Sequence, residues 1–161
     1  MTDNKDYGRQ KLVAFQIGES MCVTTSLAVT SINEVPPSLT LVPGTKPWLM
    51  GVIRNDLDLI PYINLSHFLS IHTKDRSDRR KQAALIIEGP EEVGAVGLVV
   101  DEIHGFFEAG LAVDAPSSNV KTPPALGSCV VGAVGIENQC WAVIDLLKLL
   151  EDEKLKLIEM N

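Results

Sequence analysis

Short apolar runs separated by polar turns cover most of the chain, and this pattern predicts β-strands. The stretch from Lys11 to Val35 is rich in β-branched residues and is interrupted at Gly18-Glu19-Ser20. Runs of this length, bounded by glycine and polar residues, are typical of two strands joined by a tight turn. A further apolar stretch follows at residues 27–32. The segment is therefore predicted to be a hairpin with a third strand behind it.

The same pattern occurs twice in the chain. A shift of 71 positions brings Gly18 onto Gly89 and Ile32 onto Ile103. A second pair of blocks, GVIRNDLDLIPYINLSHFL and GAVGIENQCWAVIDLLKLL, is related by a shift of 81. The larger second shift means that the second copy contains about ten more residues before this block, and the Pro- and Ser-rich loop DAPSSNVKTPPALG accounts for them. Two blocks in the same order indicate an internal duplication.

The duplication predicts one all-β domain that contains two packed units of about five short strands each. Short, evenly spaced strands favour closed barrels, because closure removes the free edges of a sheet. The polar segment HTKDRSDRRK is expected to link the two units. The predicted boundaries are 9–161 for the domain, 9–71 and 82–150 for the subdomains, 72–81 for the linker and 145–159 for a C-terminal helix.

Composition and charge narrow the class of function. A chain of 161 residues, 45% of them hydrophobic, can bury a core. The net charge of −7 argues against nucleic acid as a partner and against an anionic membrane surface. The three cysteines show no C-x-x-C spacing, and no apolar run approaches the length of a membrane span. These features predict a cytoplasmic protein without disulfides or direct membrane insertion.

The search for catalytic chemistry finds no G-x-S-x-G, H-E-x-x-H, P-loop or G-x-G-x-x-G motif. We therefore predict no catalytic residue, no cofactor and no metal ligand. The best local cluster, Asp101, Glu102 and His104, falls on alternating sides of a strand end, which favours a solvated turn. Trp48 and Met50 lie in a proline-rich stretch, either as core residues or as exposed anchors for a partner. A binding module fits these observations better than an enzyme.

The chain resembles the CheW-like coupling domain of bacterial chemosensory systems over nearly its whole length. The resemblance is carried by four blocks in order: LVAFQIGESMCVTTSLAVTSINEV, then TKPWLMGVI with PYINL seven residues later, then VGLVVDEI, then GAVGIENQCWAVIDLLKLL. It implies an all-β fold of two SH3-like five-stranded β-barrels, with short helices and the C-terminal helix. This agrees with the duplication.

The resemblance also implies a non-enzymatic scaffold that joins the cytoplasmic tip of a methyl-accepting chemoreceptor to the regulatory domain of a CheA-type histidine kinase. Each interface would bury about 600–1,000 Å² per partner. The residues that match the family's contacts to the kinase are Ile32, Glu34, Gly51 and Asp56. Contacts to the receptor are expected in the groove between the barrels, near Val99, Val100 and Gly132.

One turn departs from the family pattern. The central block usually carries Asn-Leu-Arg-Gly, whereas this chain has Asp56 at the arginine position and Leu57 at the glycine position. A carboxylate cannot make the bidentate contacts of a guanidinium, so the kinase surface is expected to differ. The long predicted C-terminal helix is compatible with the pilus-type branch, which couples receptors to twitching motility. The alternative function is a small-ligand or metal-ion sensor that uses the cleft between the barrels.

Overall fold

A computed structural model of the chain shows two β-sheets packed against each other. The structure describes residues 11–41, 44, 46–55, 58–69, 82–89, 94–116, 120–122 and 124–151. In these residues the secondary structure is mostly β, with a few short helices, so the predicted all-β fold class is confirmed. The predicted linker 72–81 lies outside the described residues.

The strands and helices follow the predicted order of hairpins. The strands are β1 Lys11–Ile17, β2 Ser20–Thr25, β3 Ser31–Glu34, β4 Leu49–Asn55, β5 Asp58–Asn64, β6 Ala83–Glu88, β7 Ala95–Val100, β8 Glu102–Glu108, β9 Val113–Ala115, β10 Val130–Ile136 and β11 Gln139–Ile144. The α-helices are α1 Leu65–Phe68 and α2 Leu146–Leu150, and 3₁₀ turns cover Ser26–Ala28, Ala109–Leu111 and Pro124–Cys129.

The strand pairing exchanges segments between the two halves of the sequence. The six-stranded sheet has the order β8-β1-β2-β11-β10-β9, and the five-stranded sheet has the order β3-β6-β7-β5-β4. Parallel pairing of β2 with β11, and of β5 with β7, joins the first hairpin of each half to the last hairpin of the other half. The expectation that residues 9–71 and 82–150 each form one of the two packed subdomains is therefore corrected, because each sheet contains strands of both. The equivalent strands of the two halves nevertheless take equivalent places in the two sheets.

The short connections explain this exchange. Only Asp101 separates β7 from β8, and an antiparallel return alongside β7 would need a turn of at least two residues. Strand β8 therefore passes to the other sheet and pairs with β1. Residues 26–30 make the corresponding passage from β2 to β3, which pairs with β6. The two sheets are thus joined at two crossovers, one at residues 26–30 and one at residue 101.

The turns and helix starts form where the local sequence predicts them. Gly18 has a φ of 59° in the β1–β2 turn, a conformation that glycine adopts without strain. Glu137 and Asn138 have φ values of 52° and 63°, as the type I′ turn of a two-residue hairpin requires. Asp145 caps α2, because its carboxylate accepts hydrogen bonds from the backbone N–H groups of residues 147 and 148. The predicted extension of this helix to residue 159 lies outside the described residues.

Three clusters of buried side chains account for the packing. The largest lies between the sheets and contains Phe15, Ile63, Leu85, Leu98 and Leu146, among others. A second cluster is enclosed by the six-stranded sheet alone, around Trp141, and a third by the five-stranded sheet alone, around Tyr62. Each sheet therefore curves around a core of its own and turns its other face to the shared core, as two packed barrels do.

Trp48 belongs to the shared core. Its ring is 8% exposed and meets Phe68 edge to face, with the ring centroids 5.1 Å apart. Met50 is half-buried and packs on the core of the five-stranded sheet. The alternative that this stretch presents an exposed aromatic anchor is therefore wrong, because the ring fills space between the sheets.

Stability is expected to fall in alkali through Cys22, which is fully buried in the shared core. Burial raises the pKa of its thiol from the ordinary value of 9.0 to about 12. Between these pH values the unfolded chain loses the thiol proton and the native chain keeps it. The contribution of the thiol is therefore complete below pH 9 and is lost as the pH rises towards 12. Urea unfolding of wild type and Cys22→Ala as a function of pH measures this. Parallel pH profiles for the two proteins would contradict the prediction.

Candidate protein-binding groove

An apolar groove of about 450 Å³ opens between the two sheets. Edge strand β3 of the five-stranded sheet and edge strand β8 of the six-stranded sheet both contribute to its walls. We call it the intersheet groove. Its described lining consists of Val13, Ser26, Val29, Thr30, Ser31, Ile32, Ile103 and Phe106.

A β-bulge places two large side chains of β8 in the groove. Strand β8 pairs Ile103 with Phe15 and Gly105 with Ala14, so His104 is the extra residue. Residues three apart normally point to opposite faces of a strand, and the bulge brings Ile103 and Phe106 to the same face. Gly105 permits the bulge, because its φ of 132° is one that residues with a side chain rarely adopt.

The lining favours apolar side chains as ligands. Among the described residues of the groove none carries a charge, and the polar ones offer only hydroxyl groups. Phe106 is 55% exposed, and Leu27, in the 3₁₀ turn beside the groove, is 75% exposed. Aromatic and aliphatic residues left in water next to a concave surface are typical of protein-binding sites.

The residues predicted to contact the kinase separate in the structure. Ile32 lines the intersheet groove, and Glu34 is exposed on the same face of β3, two residues further on. Gly51 is buried on β4, at the opposite edge of the five-stranded sheet. Asp56 lies outside the described residues. The described members of this set therefore do not form one surface.

The residues predicted near the receptor are also not brought together. Val99 and Val100 are each 1% exposed, the first in the core of the five-stranded sheet and the second in the shared core. Gly132 is half-buried on β10 beside Val131, which is 55% exposed. The valine side chains therefore lie in the interior and not at the surface of a groove. The continuous apolar run AVGLVV already indicated a strand covered on both faces.

Val13, Ile103 and Phe106 line the groove, although the sequence pattern did not predict Val13 and Phe106 there and indicated Ile103 only as a member of the repeat. The sequence of β8 offers one signal, because it contains two adjacent phenylalanines, Phe106 and Phe107, which point to opposite faces of the strand. Only Phe107 is half-buried, so Phe106 is left exposed. An apolar side chain on the exposed face of such a strand indicates a surface that another molecule can cover.

The cluster at Asp101, Glu102 and His104 is not a metal centre in the described part of the chain. The Asp101 carboxylate accepts two hydrogen bonds from the protein itself. The His104 Nε2 lies 3.9 Å from a carboxylate oxygen of Glu102. No three His, Cys, Asp or Glu side chains converge within the described residues. The metal-ion version of the sensor hypothesis therefore has no ligand set there.

Comparison with known proteins agrees with this architecture. The chain matches the scaffolding protein TtCheW from Thermoanaerobacter tengcongensis with a TM-score of 0.69 and 22% sequence identity, over 91% of this chain and 90% of that one. No curated protein sequence matches. The mostly β, two-sheet architecture is that of the CheW-like fold. Residues 11–154 match the CheW-like domain model, and the chain belongs to that family.

Membership of this family supports a role as a coupling adaptor in chemotaxis-type signalling. In the described residues no helix combines the length and the apolar character that a membrane span needs.

Proposed function

We propose that this protein binds the cytoplasmic tip of a methyl-accepting chemoreceptor in the intersheet groove and the regulatory domain of a CheA-type histidine kinase on a separate surface. The observation that carries the proposal is the uncharged groove between two edge strands, with Phe106 half in water. A partner that inserts apolar side chains would remove this surface from water. The protein would act in the cytoplasm, beneath the membrane that holds the receptors.

In this proposal Ile32 and Glu34 serve the receptor rather than the kinase. Ile32 is part of the groove wall, and Glu34 extends the same face of β3 with an exposed carboxylate. A basic residue of the receptor tip could pair with Glu34 while its apolar neighbours fill the groove.

The kinase surface is proposed at the end of the β4–β5 hairpin, next to Asp56. Leu59 is 62% exposed there and pairs across the hairpin with Arg54. Strands β3 and β4 are the two edges of the five-stranded sheet. The proposal thus places the two partners on different parts of the molecule, one in the groove at edge strand β3 and the other at the end of the β4–β5 hairpin.

A titration with the two partners from the same organism tests the proposal. Saturable one-to-one binding of the kinase regulatory domain, and of a soluble receptor fragment that contains the tip, is expected with dissociation constants of about 1–100 μM. No binding of either partner at high concentration would overturn it. The coupling to twitching motility stays a prediction.

Phe106→Ala is expected to weaken binding of the receptor fragment about tenfold or more, because a large apolar side chain at the centre of an interface contributes much of the binding free energy. Binding of the kinase domain and the thermal melting temperature should stay near wild type, since Phe106 is more than half exposed. Leu111→Ala is the matched control, because Leu111 is 69% exposed and does not line the groove. Equal effects of the two substitutions on receptor binding would contradict the assignment.

A second candidate function uses the same groove. Its volume of about 450 Å³ lies within the range of small-ligand sites. The uncharged lining would suit an apolar molecule. A thermal-shift screen separates the two functions, because a ligand of the isolated protein raises the melting temperature by mass action.

A further inference from the structure

We infer that Asp101 is a positioning residue which fixes the two sheets relative to each other and thereby sets the shape of the intersheet groove. The positioning role follows from the hydrogen bonds of the Asp101 carboxylate. Its consequence for receptor binding rests on the proposed function. Asp101 is the single residue of the crossover between β7 and β8.

One carboxylate oxygen of Asp101 contacts both sheets. Its Oδ2 accepts a hydrogen bond of 2.5 Å from the backbone N–H of Gly18, in the β1–β2 turn of the six-stranded sheet. The same oxygen accepts a hydrogen bond of 2.7 Å from the hydroxyl of Ser66. Ser66 is 7% exposed and lies in α1, directly after β5 of the five-stranded sheet. Hydrogen bonds to a carboxylate are stronger than those between neutral groups.

The backbone of Asp101 adds to the connection, because its N–H donates to the carbonyl of Gln16 on β1 at 2.9 Å. The Gln16 side chain in turn donates to the carbonyl of Gly18 at 2.7 Å, and its Oε1 lies 2.9 Å from the Nε2 of His104. The turn, the crossover and the bulged start of β8 are therefore one hydrogen-bonded unit.

The two crossovers differ in their chemistry. At the equivalent passage from β2 to β3, the Thr30 N–H donates to the carbonyl of Ile86 at 2.7 Å. Thr30 and its neighbours line the intersheet groove. One crossover is thus tied by the carboxylate, and the other borders the opening. Ile103 connects them, because it follows Asp101 by two residues and lines the groove.

Packing alone would allow the sheets to adjust, because much of the contact between them is made by apolar side chains without directional bonds. The Asp101 hydrogen bonds add a direction to this contact. Loss of the carboxylate is expected to broaden the range of angles between the sheets, so that the walls at Ile32 and Phe106 are less often at the spacing that a partner needs.

The test measures positioning and binding separately. Spin labels at residues 88 and 137, introduced as cysteines in a Cys140→Ser background, report the distance between the sheets. Glu88 is exposed at the end of β6 in the five-stranded sheet, and Glu137 is exposed in the β10–β11 turn of the six-stranded sheet, while Cys22 and Cys129 are buried. Asp101→Ala should broaden the distance distribution. Asp101→Asn keeps one acceptor oxygen and should restore most of the wild-type distribution, and Ser66→Ala should give an intermediate result.

Binding of the receptor fragment should weaken about tenfold in Asp101→Ala, with recovery in Asp101→Asn, while binding of the kinase domain stays within about twofold of wild type. Unchanged distance distributions in Asp101→Ala and Ser66→Ala would overturn the inference, whether or not the receptor binds. Equal losses for both partners would indicate a general structural defect and would also overturn it. If wild type binds no receptor fragment, the proposed function fails, and the distance measurement still decides the role of Asp101. If Asp101→Ala does not fold, Ser66→Ala and Asp101→Asn decide.

Discussion

Gly51→Ala is expected to destabilise the protein by about 3 kcal/mol, because the new methyl group meets both backbone strain and a steric clash. Gly51 lies at a bulge of β4 with a φ of 152°, a conformation that residues with a side chain rarely adopt. A Cβ atom there would lie 2.9 Å from the Cβ of Leu39 and 2.9 Å from the carbonyl oxygen of Thr40. The Thr40 backbone cannot yield without loss, since it exchanges hydrogen bonds with Val52.

Gly132→Ala provides the matched control. The duplication places Gly132 at the position equivalent to Gly51, but a Cβ atom at Gly132 would meet no heavy atom within 4 Å. Its effect on the free energy of unfolding should stay within about 0.5 kcal/mol. Urea unfolding of the two variants measures the difference. Similar losses for both would show that the close approach at Gly51 is not what excludes a side chain.

This pair also bears on the predicted partner contacts. Gly51 is buried under residues 39–40, and its substitution can abolish kinase binding simply because it unfolds part of the protein. Kinase binding by the Gly51→Ala variant and by wild type should therefore be compared at equal concentrations of folded protein. We expect the affinity of the folded fraction for the kinase domain to remain close to that of wild type.

Gly97→Ala is expected to cost about 2 kcal/mol through overpacking against Tyr62. Strands β5 and β7 pair Tyr62 with Gly97, and a Cβ atom on Gly97 would lie 2.9 Å from two carbons of the Tyr62 ring. The ring is 4% exposed and packs in the core of the five-stranded sheet, so it cannot swing into solvent. The absence of a side chain at Gly97 thus leaves the space that the Tyr62 ring occupies.

A double-mutant cycle isolates this contact. In a Tyr62→Ala background the ring is absent, and Gly97→Ala should then cost at least about 1 kcal/mol less than in wild type. Denaturant unfolding of the four proteins gives the coupling free energy. A coupling of zero would mean that the cost at Gly97 arises from the backbone and not from the tyrosine ring.

The sequence predicted the local elements well because they depend on neighbouring residues. The turn at Gly18 needs a residue that tolerates a positive φ, and the Glu137-Asn138 turn lies between two apolar runs. Asp145 can reach the free N–H groups of the helix that follows it. Each of these features can be identified in a few consecutive residues, so one sequence is enough.

The candidate site was predicted less well. The resemblance predicts Ile32 as a kinase contact, whereas its side chain lines the intersheet groove. It predicts receptor contacts near Val99 and Val100, but both side chains are buried. Phe106 was missed because its exposure depends on the bulge at His104, a non-local result of the pairing between β8 and β1. A match to a family places each residue at a position of the family's sequence pattern. Whether its side chain is exposed depends on which other residues pack against it in the fold.

The sequence by itself therefore determined the class, the hairpins and the repeat, because hydrophobic periodicity and turn chemistry are local properties. Only the tertiary structure decided which hairpins share a sheet and where the groove opens. Both halves carry nearly the same pattern, so a hairpin can pair with its own half or with the other, and nothing local distinguishes the two. The single-residue connection at Asp101 sends β8 across to the other sheet, and that passage creates the edge at which the intersheet groove lies.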